Sequence, residues 1–321
     1  MKLLLTGCAG YVGSVVAHEL LSRGHSVRGY DNLMYGGEAM LGFWANPAFE
    51  FVKGDVRDST AVKSALEGCD GIVHLAAIVG DPACKREPEV ARSTNLDGSI
   101  VLIEAAKSAG LKRFVFASTC SNYGKMSDPD KLVDEFSELS PVSLYAETKV
   151  AVENIVTDAS KMGDVCGTSL RFSTVYGVSP RMRYDLTVNQ FAREAWNDRK
   201  LVVFGEQFWR PYIHVRDMAR GVAAVCDASE EKVRGEVFNV GSTNENYTKK
   251  MIVDLLLEMV PGLQVEYVSQ NDDPRDYRVS FSKIESQLGF KISRTVPEGL
   301  KEILSLVSQN VLPEEGRKFG N

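Results

Sequence analysis

Residues 2–13 read KLLLTGCAGYVG, an apolar run that passes directly into a glycine-rich turn. The leucines at positions 3–5 predict a strand buried on both faces, as in a parallel sheet. After the turn, apolar residues recur at helical spacing over 11–23, and Gly24 follows as a residue suited to end a helix. The stretch therefore predicts a strand, a tight turn and a helix in direct succession.

The glycines of this turn stand three residues apart, at Gly7, Gly10 and Gly13. Gly7 can form the tight turn, Gly10 lets the backbone approach a pyrophosphate, and Gly13 lets the helix pack close to the sheet. The helix N-terminus then presents free N–H groups to phosphate oxygens. We therefore expect a dinucleotide at this turn, with Tyr11 and Val12 beside it.

Acidic residues follow the next two predicted strands. Asp31 comes about twenty residues after the turn, where a carboxylate accepts hydrogen bonds from a ribose hydroxyl. The same carboxylate would repel a 2′-phosphate, which favours NAD over NADP. Asp55 follows the third predicted strand, where it either binds the adenine amine or serves as a turn residue. Asn32 and Val56, which come directly after these acids, complete this part of the candidate cofactor site.

Short β-rich runs alternate with amphipathic helical stretches over the first two thirds of the chain. The predicted strands span residues 2–6, 26–30, 49–52, 71–75, 113–117 and 168–172. The predicted helices span residues 11–23, 60–66, 89–109 and 143–162. This alternation predicts an α/β fold, a Rossmann-type doubly wound parallel sheet with a smaller, mixed α/β substrate-binding domain.

The length of 321 residues favours about two domains. The alternation loosens after about residue 175, and residues 212–226 and 236–240 again look like a helix followed by a strand. We expect an NAD-binding domain over 1–175, to which 212–240 returns. The second domain would then consist of 176–211 and 241–321.

The charge balance is mildly acidic, with 37 Lys and Arg against 43 Asp and Glu and a net charge of −6. It argues against non-specific binding to nucleic acid or to an anionic membrane, and no run approaches the ~18 apolar residues of a spanning helix. The six cysteines and four histidines lack the spacing of a zinc site or a disulfide framework. We expect no metal site and a reducing, cytoplasmic location.

Tyr145 and Lys149 are four residues apart, so they lie on one face of a predicted helix. A protonated lysine there, together with the positive charge of an oxidised nicotinamide, would stabilise a tyrosinate. The tyrosine could then remove a proton from a sugar or alcohol hydroxyl as hydride leaves. The spacing alone is common on helices. Here it follows both the glycine-rich turn and residues 117–124, which end a predicted strand at the sheet edge where ligands bind.

Taken in order, these motifs resemble the extended short-chain dehydrogenase/reductase family, in its nucleotide-sugar epimerase/dehydratase branch. The resemblance rests on the three glycines, Asp31, HLAA at 74–77, Asn95, the Ser118-Thr119 pair, the Tyr145/Lys149 pair and RPYIHVRD at 210–217. The branch includes enzymes like UDP-glucose 4-epimerase. The resemblance covers nearly the whole chain. It implies NAD as cofactor, a nucleoside-diphosphate sugar as substrate and a homodimer formed by helices 89–109 and 143–162.

The resemblance also implies roles for individual residues. Thr119 would hydrogen-bond the substrate hydroxyl beside Tyr145, and Lys149 would also hold the nicotinamide ribose. Asn95 would orient the active-site backbone. The cofactor path would be lined by Leu75, Ala76 and Ala77. Arg210 would contact the nucleotide diphosphate, a role that suits a guanidinium because it binds phosphate oxygens in pairs. The other candidate substrate contacts are Cys120, Ser121, Arg181, Arg183, Asn189, Arg275 and Arg278.

The chain departs from the sugar 4,6-dehydratases, which have Asp and Glu where this chain has Cys120 and Ser121. Neither residue readily supplies the acid and base that remove water, so a dehydratase is disfavoured. Cys120 is either an acid/base group or a packing residue, and Cys84 could face the nicotinamide. His214 is more plausible as a structural residue than as a base.

Residues 78–86 (IVGDPACKR) and 177–186 (GVSPRMRYDL) resemble a narrower subgroup that oxidises C4 of GDP-linked heptoses during capsule biosynthesis. We therefore expect hydride transfer from the sugar C4 to NAD. Return of the hydride to the other face gives a 4-epimerase, which we favour. Release of the 4-keto sugar gives a 4-dehydrogenase, and a 4-keto-sugar reductase is a further alternative. A dinucleotide-binding sensor would not need Tyr145 and Lys149, and an enzyme for apolar alcohols would not need the arginines.

Overall fold

The strands and their neighbours are seen in a computed structural model that describes residues 1–126, 128, 131–269 and 275–312. The strands are β1 (Lys2–Thr6), β2 (Ser26–Asp31), β3 (Phe49–Lys53), β4 (Gly71–His74), β5 (Arg113–Thr119), β6 (Cys166–Phe172), β7 (Thr174–Tyr176), β8 (Lys200–Phe204), β9 (Trp209–His214), β10 (Glu236–Val240), β11 (Asn246–Thr248) and β12 (Gln264–Val268).

The α-helices flank these strands. They are α1 (Gly13–Ser22), α2 (Ser59–Ala65), α3 (Asp81–Arg86), α4 (Pro88–Arg92), α5 (Gly98–Ser108), α6 (Leu144–Val156), α7 (Ala159–Met162), α8 (Thr187–Asn197), α9 (Val215–Asp227), α10 (Glu230–Val233), α11 (Lys249–Met259), α12 (Ser282–Leu288) and α13 (Val296–Ser308). A π-helical turn at Ser93–Asp97 joins α4 to α5.

The central sheet has the strand order β10–β6–β5–β4–β1–β2–β3, and every pairing in it is parallel. Leu3, Leu4 and Leu5 are fully buried, as expected for a strand covered by helices on both faces. The chain winds outward from β1 in one direction and from β4 in the other, so a crevice opens where β1 and β4 end. The predicted doubly wound α/β fold is confirmed.

A second, smaller layer lies beside this sheet. It consists of a three-stranded sheet in the order β11–β9–β7 and a parallel pair of β12 with β8. A separate apolar core formed by α8, α11 and α13 supports these strands, with Phe191, Leu201, Ile252, Leu256 and Ile303 buried in it. The mixed architecture expected for the second part of the chain is therefore present.

Three predicted helices differ from the structure. The helix expected from residue 212 begins at Val215, because Tyr212 and Ile213 continue β9 and His214 caps the helix. The helix expected over 89–109 is interrupted by the π-helical turn. The helix expected over 143–162 is divided at Asp158, whose carboxylate accepts from the Ser160 N–H and starts a new turn.

The return of the chain to the central sheet is made by α9, which packs on α1, and by β10, which pairs with β6. The proposed domain bounds stay a prediction, and residues 270–274 and 313–321 of the expected second domain lie outside the described residues. In the described part of the chain, no helix is long and apolar enough to cross a bilayer.

Candidate active site

A cavity of about 360 Å³ opens at the carboxyl edge of the central sheet, where β1, β2, β4 and β5 end. The glycine-rich turn, the start of α6 and the segment after β6 complete its walls. The expected site residues that line it are Gly7, Gly10, Tyr11, Val12, Gly13, Asp31, Asn32, Asp55, Val56, Leu75, Ala76, Ala77, Thr119, Ser121, Tyr145, Lys149, Arg181, Arg183 and Arg275. The fold thus brings most of the predicted cofactor and substrate residues to one cavity.

The glycine-rich turn is tight enough to require glycine at two of its three positions. Gly7 has a φ of 75°, and a Cβ on it would lie 2.9 Å from the Ala76 nitrogen. A Cβ on Gly13 would collide with the Gly7 carbonyl. Side chains here would fill the cradle in which α1 begins. The turn therefore fits a pyrophosphate held against backbone N–H groups.

A buried hydrogen-bond chain pins the strand ends beside this turn. Thr6 Oγ1 lies 2.8 Å from His74 Nδ1, and His74 Nε2 lies 2.8 Å from Ser99 Oγ. Ser99 Oγ donates to the Asn95 carbonyl at 2.6 Å, so it can accept from His74 Nε2–H and leave Nδ1 as the acceptor. Burial, with a smaller effect of the Lys149 charge, lowers the pKa of His74 to about 3. A neutral histidine therefore joins β1, β4 and α5.

Thr6, at the other end of this series of hydrogen bonds, also fixes the backbone of the residues expected to line the cofactor path. Thr6 Oγ1 accepts from the N–H groups of Leu75 and Ala76, each at 3.2 Å. Asn95 is not among the described residues that line the cavity. Its amide instead pairs with the Ile78 backbone, accepting from the N–H at 2.8 Å and donating to the carbonyl at 2.9 Å. Asn95 thus fixes a residue of the cavity wall from behind.

Asp31 joins the two loops on either side of the expected ribose site. Its carboxylate accepts from the Ala9 N–H at 3.0 Å and from the Leu33 N–H at 2.8 Å. Burial raises the pKa of Asp31 above its ordinary value. A carboxylate has about four lone-pair directions, so it can accept a ribose hydroxyl in addition to these two bonds.

Asp55 is held differently, by a bidentate ion pair with Arg57 at 2.9 and 2.7 Å. The Arg57 hydrogen bonds lower the pKa of Asp55 below its usual range. Both residues line the cavity. Contact of Asp55 with an adenine amine stays a prediction, and in this structure both oxygens of its carboxylate accept hydrogen bonds from Arg57.

Tyr145 and Lys149 lie on one face of α6, beside Thr119 at the end of β5. Lys149 Nζ donates to the Ala117 carbonyl at 2.7 Å and lies 5.8 Å from the centre of the Tyr145 ring. Burial lowers the pKa of Lys149 to about 7 and raises the pKa of the Tyr145 phenol. Thr119 Oγ1 accepts from the Ser121 N–H at 3.1 Å, which leaves its hydroxyl hydrogen for another acceptor.

The candidate substrate residues fall into two groups. Ser121, Arg181, Arg183 and Arg275 line the cavity. Arg183 pairs with Asp185 at 3.0 and 2.6 Å. Arg275 Nη1 lies 3.3 Å from an oxygen of Asp81 across the cavity wall. These cations are placed where they could meet a diphosphate. The Asp273 and Pro274 that precede Arg275 in the motif lie outside the described residues.

The prediction that Cys120 contacts the substrate must be corrected. Its thiol is 1% exposed and donates to the Arg171 carbonyl at 3.3 Å, and it is not among the described residues that line the cavity. The reason is that β5 ends at Thr119 and a 3-10 turn begins at Cys120, in which the Cys120 thiol joins the buried core while Thr119 and Ser121 line the cavity. Burial raises the pKa of its thiol. The packing interpretation of Cys120 fits, and substrate contact does not.

Three further substrate candidates are not among the described residues that line the cavity. Asn189 is fully buried and accepts from the Gly177 N–H at 2.9 Å. Arg210 donates to the Trp209 carbonyl at 2.6 Å, with its guanidinium 5.4 Å from the Tyr277 ring centre. Arg278 lies over the Trp209 ring at 4.8 Å. Contact of these three residues with a nucleotide diphosphate stays a prediction.

Cys84 and His214 lie in structural positions. Cys84 is 1% exposed, its thiol donates weakly to the Ile78 carbonyl at 3.5 Å, and burial raises its pKa. His214 Nε2 lies 2.6 Å from a Glu302 oxygen, and its Nδ1 accepts from the Arg216 N–H at the start of α9. Neither residue is among the described residues of the cavity wall.

Sequence reasoning missed several cavity residues, chiefly those of the connection after β2. Met34, Tyr35 and Gly36 line the cavity, and the Arg181 guanidinium lies 4.1 Å from the Tyr35 ring centre. The run NLMYGG at 32–37 gave a signal of this, because a paired glycine after Asp31 predicts a turn at the sheet edge. Asp81 was also missed, although it directly follows Gly80 in a motif that the sequence singled out.

Comparison with known proteins agrees with this geometry. A model of the NAD dependent epimerase/dehydratase family matches residues 3–241. The chain belongs to this family. As a member of the NAD dependent epimerase/dehydratase family it is an enzyme, and NAD is its cofactor, as predicted. The cradle of glycines described above fits that cofactor.

Individual relatives of this family member are similar over nearly the whole chain. The UDP-glucuronate 4-epimerase of Thermodesulfobacterium geofontis (strain OPF15) is 28% identical over 96% of this chain and 96% of its own. The Bacillus cereus UDP-glucuronic acid 4-epimerase, solved with UDP-glucuronic acid and NAD, is 26% identical with a TM-score of 0.85, covering 96% of this chain and 99% of that one. DesIV, a dTDP-glucose 4,6-dehydratase from Streptomyces venezuelae solved with NAD and TYD, is 27% identical with a TM-score of 0.85, covering 97% and 98%.

Proposed function

We propose that this enzyme is a nucleoside-diphosphate-sugar 4-epimerase that works through a 4-keto intermediate. The observation that carries the proposal is the meeting of Thr119, Tyr145 and Lys149 with the glycine-rich turn in one cavity. A sugar hydroxyl beside Tyr145 would then lie next to the nicotinamide end of a dinucleotide. The relatives that are 4-epimerases of UDP-sugars support this reaction.

The residues of the chain would handle the protons of both half-reactions. Bound NAD would supply a hydride acceptor and a positive charge. The Tyr145 phenolate takes the proton of the C4 hydroxyl as the C4 hydride leaves, which gives the 4-keto sugar. When the keto group is reduced from its opposite face, the Tyr145 phenol would give the proton back to the new C4 oxygen. The Thr119 hydroxyl holds the reacting oxygen through both steps.

Lys149 is suited to tune this proton transfer. Burial alone keeps the Tyr145 phenol protonated, because it raises the phenol pKa. The Lys149 pKa of about 7 allows the ammonium to form or discharge near neutral pH, and Nζ is fixed near the Tyr145 ring by the Ala117 carbonyl. A charge at Nζ favours the phenolate, so the lysine charge and the cofactor charge together would bring Tyr145 into its working range.

The residues after Thr119 argue against a dehydratase, although DesIV is a structural neighbour. Loss of water from a 4-keto sugar needs an acid and a base at C5 and C6. Cys120 is buried in the core and bonded to the Arg171 carbonyl, and Ser121 carries only a hydroxyl into the cavity. The 4-epimerase requires no group beyond Tyr145, Lys149 and Thr119.

The experiment that tests the proposed function uses purified enzyme with UDP-glucose, UDP-glucuronate and a GDP-linked heptose, each with NAD. A 4-epimerase converts one of these to its C4 epimer, seen by chromatography, without accumulating NADH. A 4-dehydrogenase would instead form NADH in step with a 4-keto sugar and would replace the proposal. The variant Tyr145→Phe, which lacks the proposed proton acceptor, should slow this conversion. Tyr184→Phe, which alters a phenol outside this cavity, is its matched control.

We also propose that the enzyme is a cytoplasmic homodimer, with helices α5 and α6 at the interface as the family resemblance implies, and that it serves polysaccharide biosynthesis. The α5 surface supports the dimer, because it exposes Ile100. The free, buried thiols of all six cysteines suit a reducing compartment. Light scattering coupled to gel filtration tests the dimer, and a monomer at micromolar concentration would contradict it. The absence of nucleic-acid binding stays a prediction.

A further inference from the structure

The segment between β7 and α8 is anchored to the far side of the glycine-rich turn. Ser179 Oγ donates to the Tyr11 carbonyl at 2.6 Å, and Tyr11 Oη donates to the Gly177 carbonyl at 2.7 Å. Asn189 Nδ2 donates to Tyr11 Oη at 3.2 Å and closes this network. All of these groups are buried. The base of the segment is therefore fixed to the residue that follows Gly10.

The connection after β2 is anchored to the near side of the same turn. Asp31 accepts from both the Ala9 and the Leu33 N–H groups, as described above. Asn32 Oδ1 accepts from the Met34 N–H at 3.0 Å. Leu33 has a φ of 61°, in the left-handed region that residues other than glycine rarely adopt. Tyr35 follows directly in this segment and lines the cavity.

Arg181 closes the gap between these two anchored segments. Its guanidinium lies 4.1 Å from the centre of the Tyr35 ring, and it is within electrostatic reach of Asp31 at the ribose end. Arg181 is 9% exposed, whereas Tyr35 is 36% exposed, so the outer side of the ring faces solvent. Both side chains line the cavity.

We propose that Arg181 and Tyr35 form a clasp over the bound dinucleotide, which must open before NAD can leave. The two anchors hold Ala9 and Tyr11, on either side of Gly10, so the contact bridges the two segments that border the turn expected to hold the pyrophosphate. A cation over an aromatic face is a contact that breaks and reforms by side-chain rotation. The clasp assigns Arg181 to cofactor retention instead of to the sugar diphosphate.

The clasp deepens the proposed function and rests on it in one respect. An epimerase that takes its own hydride back has no need to exchange its cofactor, so slow release of NAD serves it. A 4-dehydrogenase must release or reoxidise the reduced cofactor in each cycle. The release rate itself is a property of the protein and NAD alone, and it can be measured without any sugar.

The test is an exchange experiment on the NAD-loaded full chain. Protein loaded with unlabelled NAD is diluted into excess nicotinamide-deuterated NAD, sampled by rapid gel filtration, denatured and analysed by mass. We expect Arg181→Met and Tyr35→Ala each to speed NAD release about tenfold, the effect of losing a partly desolvated cation–π contact. Tyr35→Phe keeps the ring and should leave the rate unchanged. The double variant should release NAD no faster than the faster single variant, because both changes break one contact.

Arg193→Met is the matched control, since the Arg193 guanidinium lies over the Tyr184 ring at 5.0 Å outside this cavity. It should release NAD at the wild-type rate. Release of NAD from Arg181→Met at the wild-type rate would contradict the clasp. A release rate in the double variant that multiplies the two single-variant effects would contradict it as well. If Arg181→Met changed only the KM for sugar, Arg181 would belong to the substrate site. If the Arg181 and Tyr35 variants release NAD faster but the wild-type enzyme epimerises no sugar, the result would support the clasp and contradict the proposed function.

Discussion

The ammonium of Lys149 donates a hydrogen bond to the carbonyl oxygen of Ala117 at 2.7 Å. This bond ties helix α6 to the end of β5, two residues before Thr119. The side chains that would handle the substrate proton are thus held by α6 and by the end of β5.

Tyr145→Phe removes the proton acceptor and keeps the ring. We expect turnover to fall about 10²–10⁴-fold, the usual contribution of a positioned acid or base. NAD binding should persist, because the glycine-rich turn and Asp31 are untouched. Steady-state assays and the NAD content of the purified variant check both parts. Full activity of the variant would contradict the proposed mechanism.

Asp31→Asn tests the preference for NAD. The amide keeps an acceptor for the Ala9 or Leu33 N–H but loses the negative charge that would repel a 2′-phosphate. We expect NAD to bind about tenfold more weakly, the effect of one lost hydrogen bond to a charged group, and NADP to bind more tightly than it does to the wild type. Titration followed by protein fluorescence gives both dissociation constants. An unchanged NAD-to-NADP ratio would show that Asp31 does not read the ribose.

His74 should make the protein less stable in mild acid. Its pKa is about 3 in the fold against 6.5 in the unfolded chain, so between these values the unfolded chain binds more protons. The free energy of unfolding therefore falls as pH drops below 6.5, by about 2 kcal/mol at pH 5 from this residue. Urea unfolding of the wild type and of His74→Gln at pH 7.5 and 5 measures it. The variant should lack this part of the pH dependence, and equal slopes for both proteins would refute the assignment.

The buried ion pair of Arg171 with Glu153 should be expensive to break. Arg171 Nη2 lies 2.6 Å from Glu153 Oε1, and both side chains are about as buried as the core. Arg171→Met leaves an unpaired buried carboxylate on α6, so we expect a loss of about 3–5 kcal/mol in the free energy of unfolding. The exposed pair of Glu104 with Lys107 is the control, and Glu104→Gln should cost less than about 0.5 kcal/mol. Equal losses in both variants would show that burial of the Arg171 pair is unimportant.

Local features of the sequence predicted the central sheet and much of the cavity. The run from Leu3 to Gly13 forms its strand, turn and helix from its own side chains, so no distant contact is needed to recognise it. The Tyr145 and Lys149 pair depends only on helical spacing. Because parallel strands end at one edge, these separate motifs had to meet there.

The contacts that the sequence did not predict concern side chains whose direction is set by packing between distant segments. Arg210 faces Tyr277 because β9 is covered by a segment more than sixty residues later, and nothing near Arg210 encodes that contact. The Arg181 and Tyr35 contact likewise joins two loops with no local signal for each other. The direction of the Cys120 thiol also depends on the turn that begins after Thr119 and on the Arg171 carbonyl, which lies about fifty residues later in the chain.

The central claim is tested most directly with UDP-glucose and UDP-glucuronate that carry deuterium at C4, incubated with the NAD-loaded enzyme in ordinary water. Mass spectrometry and NMR of the product show where the label goes. The account predicts a C4 epimer that keeps its deuterium at C4, because the same hydride leaves and returns. A 4-keto sugar with the deuterium on released NADH, or an epimer that has lost its label to solvent, would contradict it.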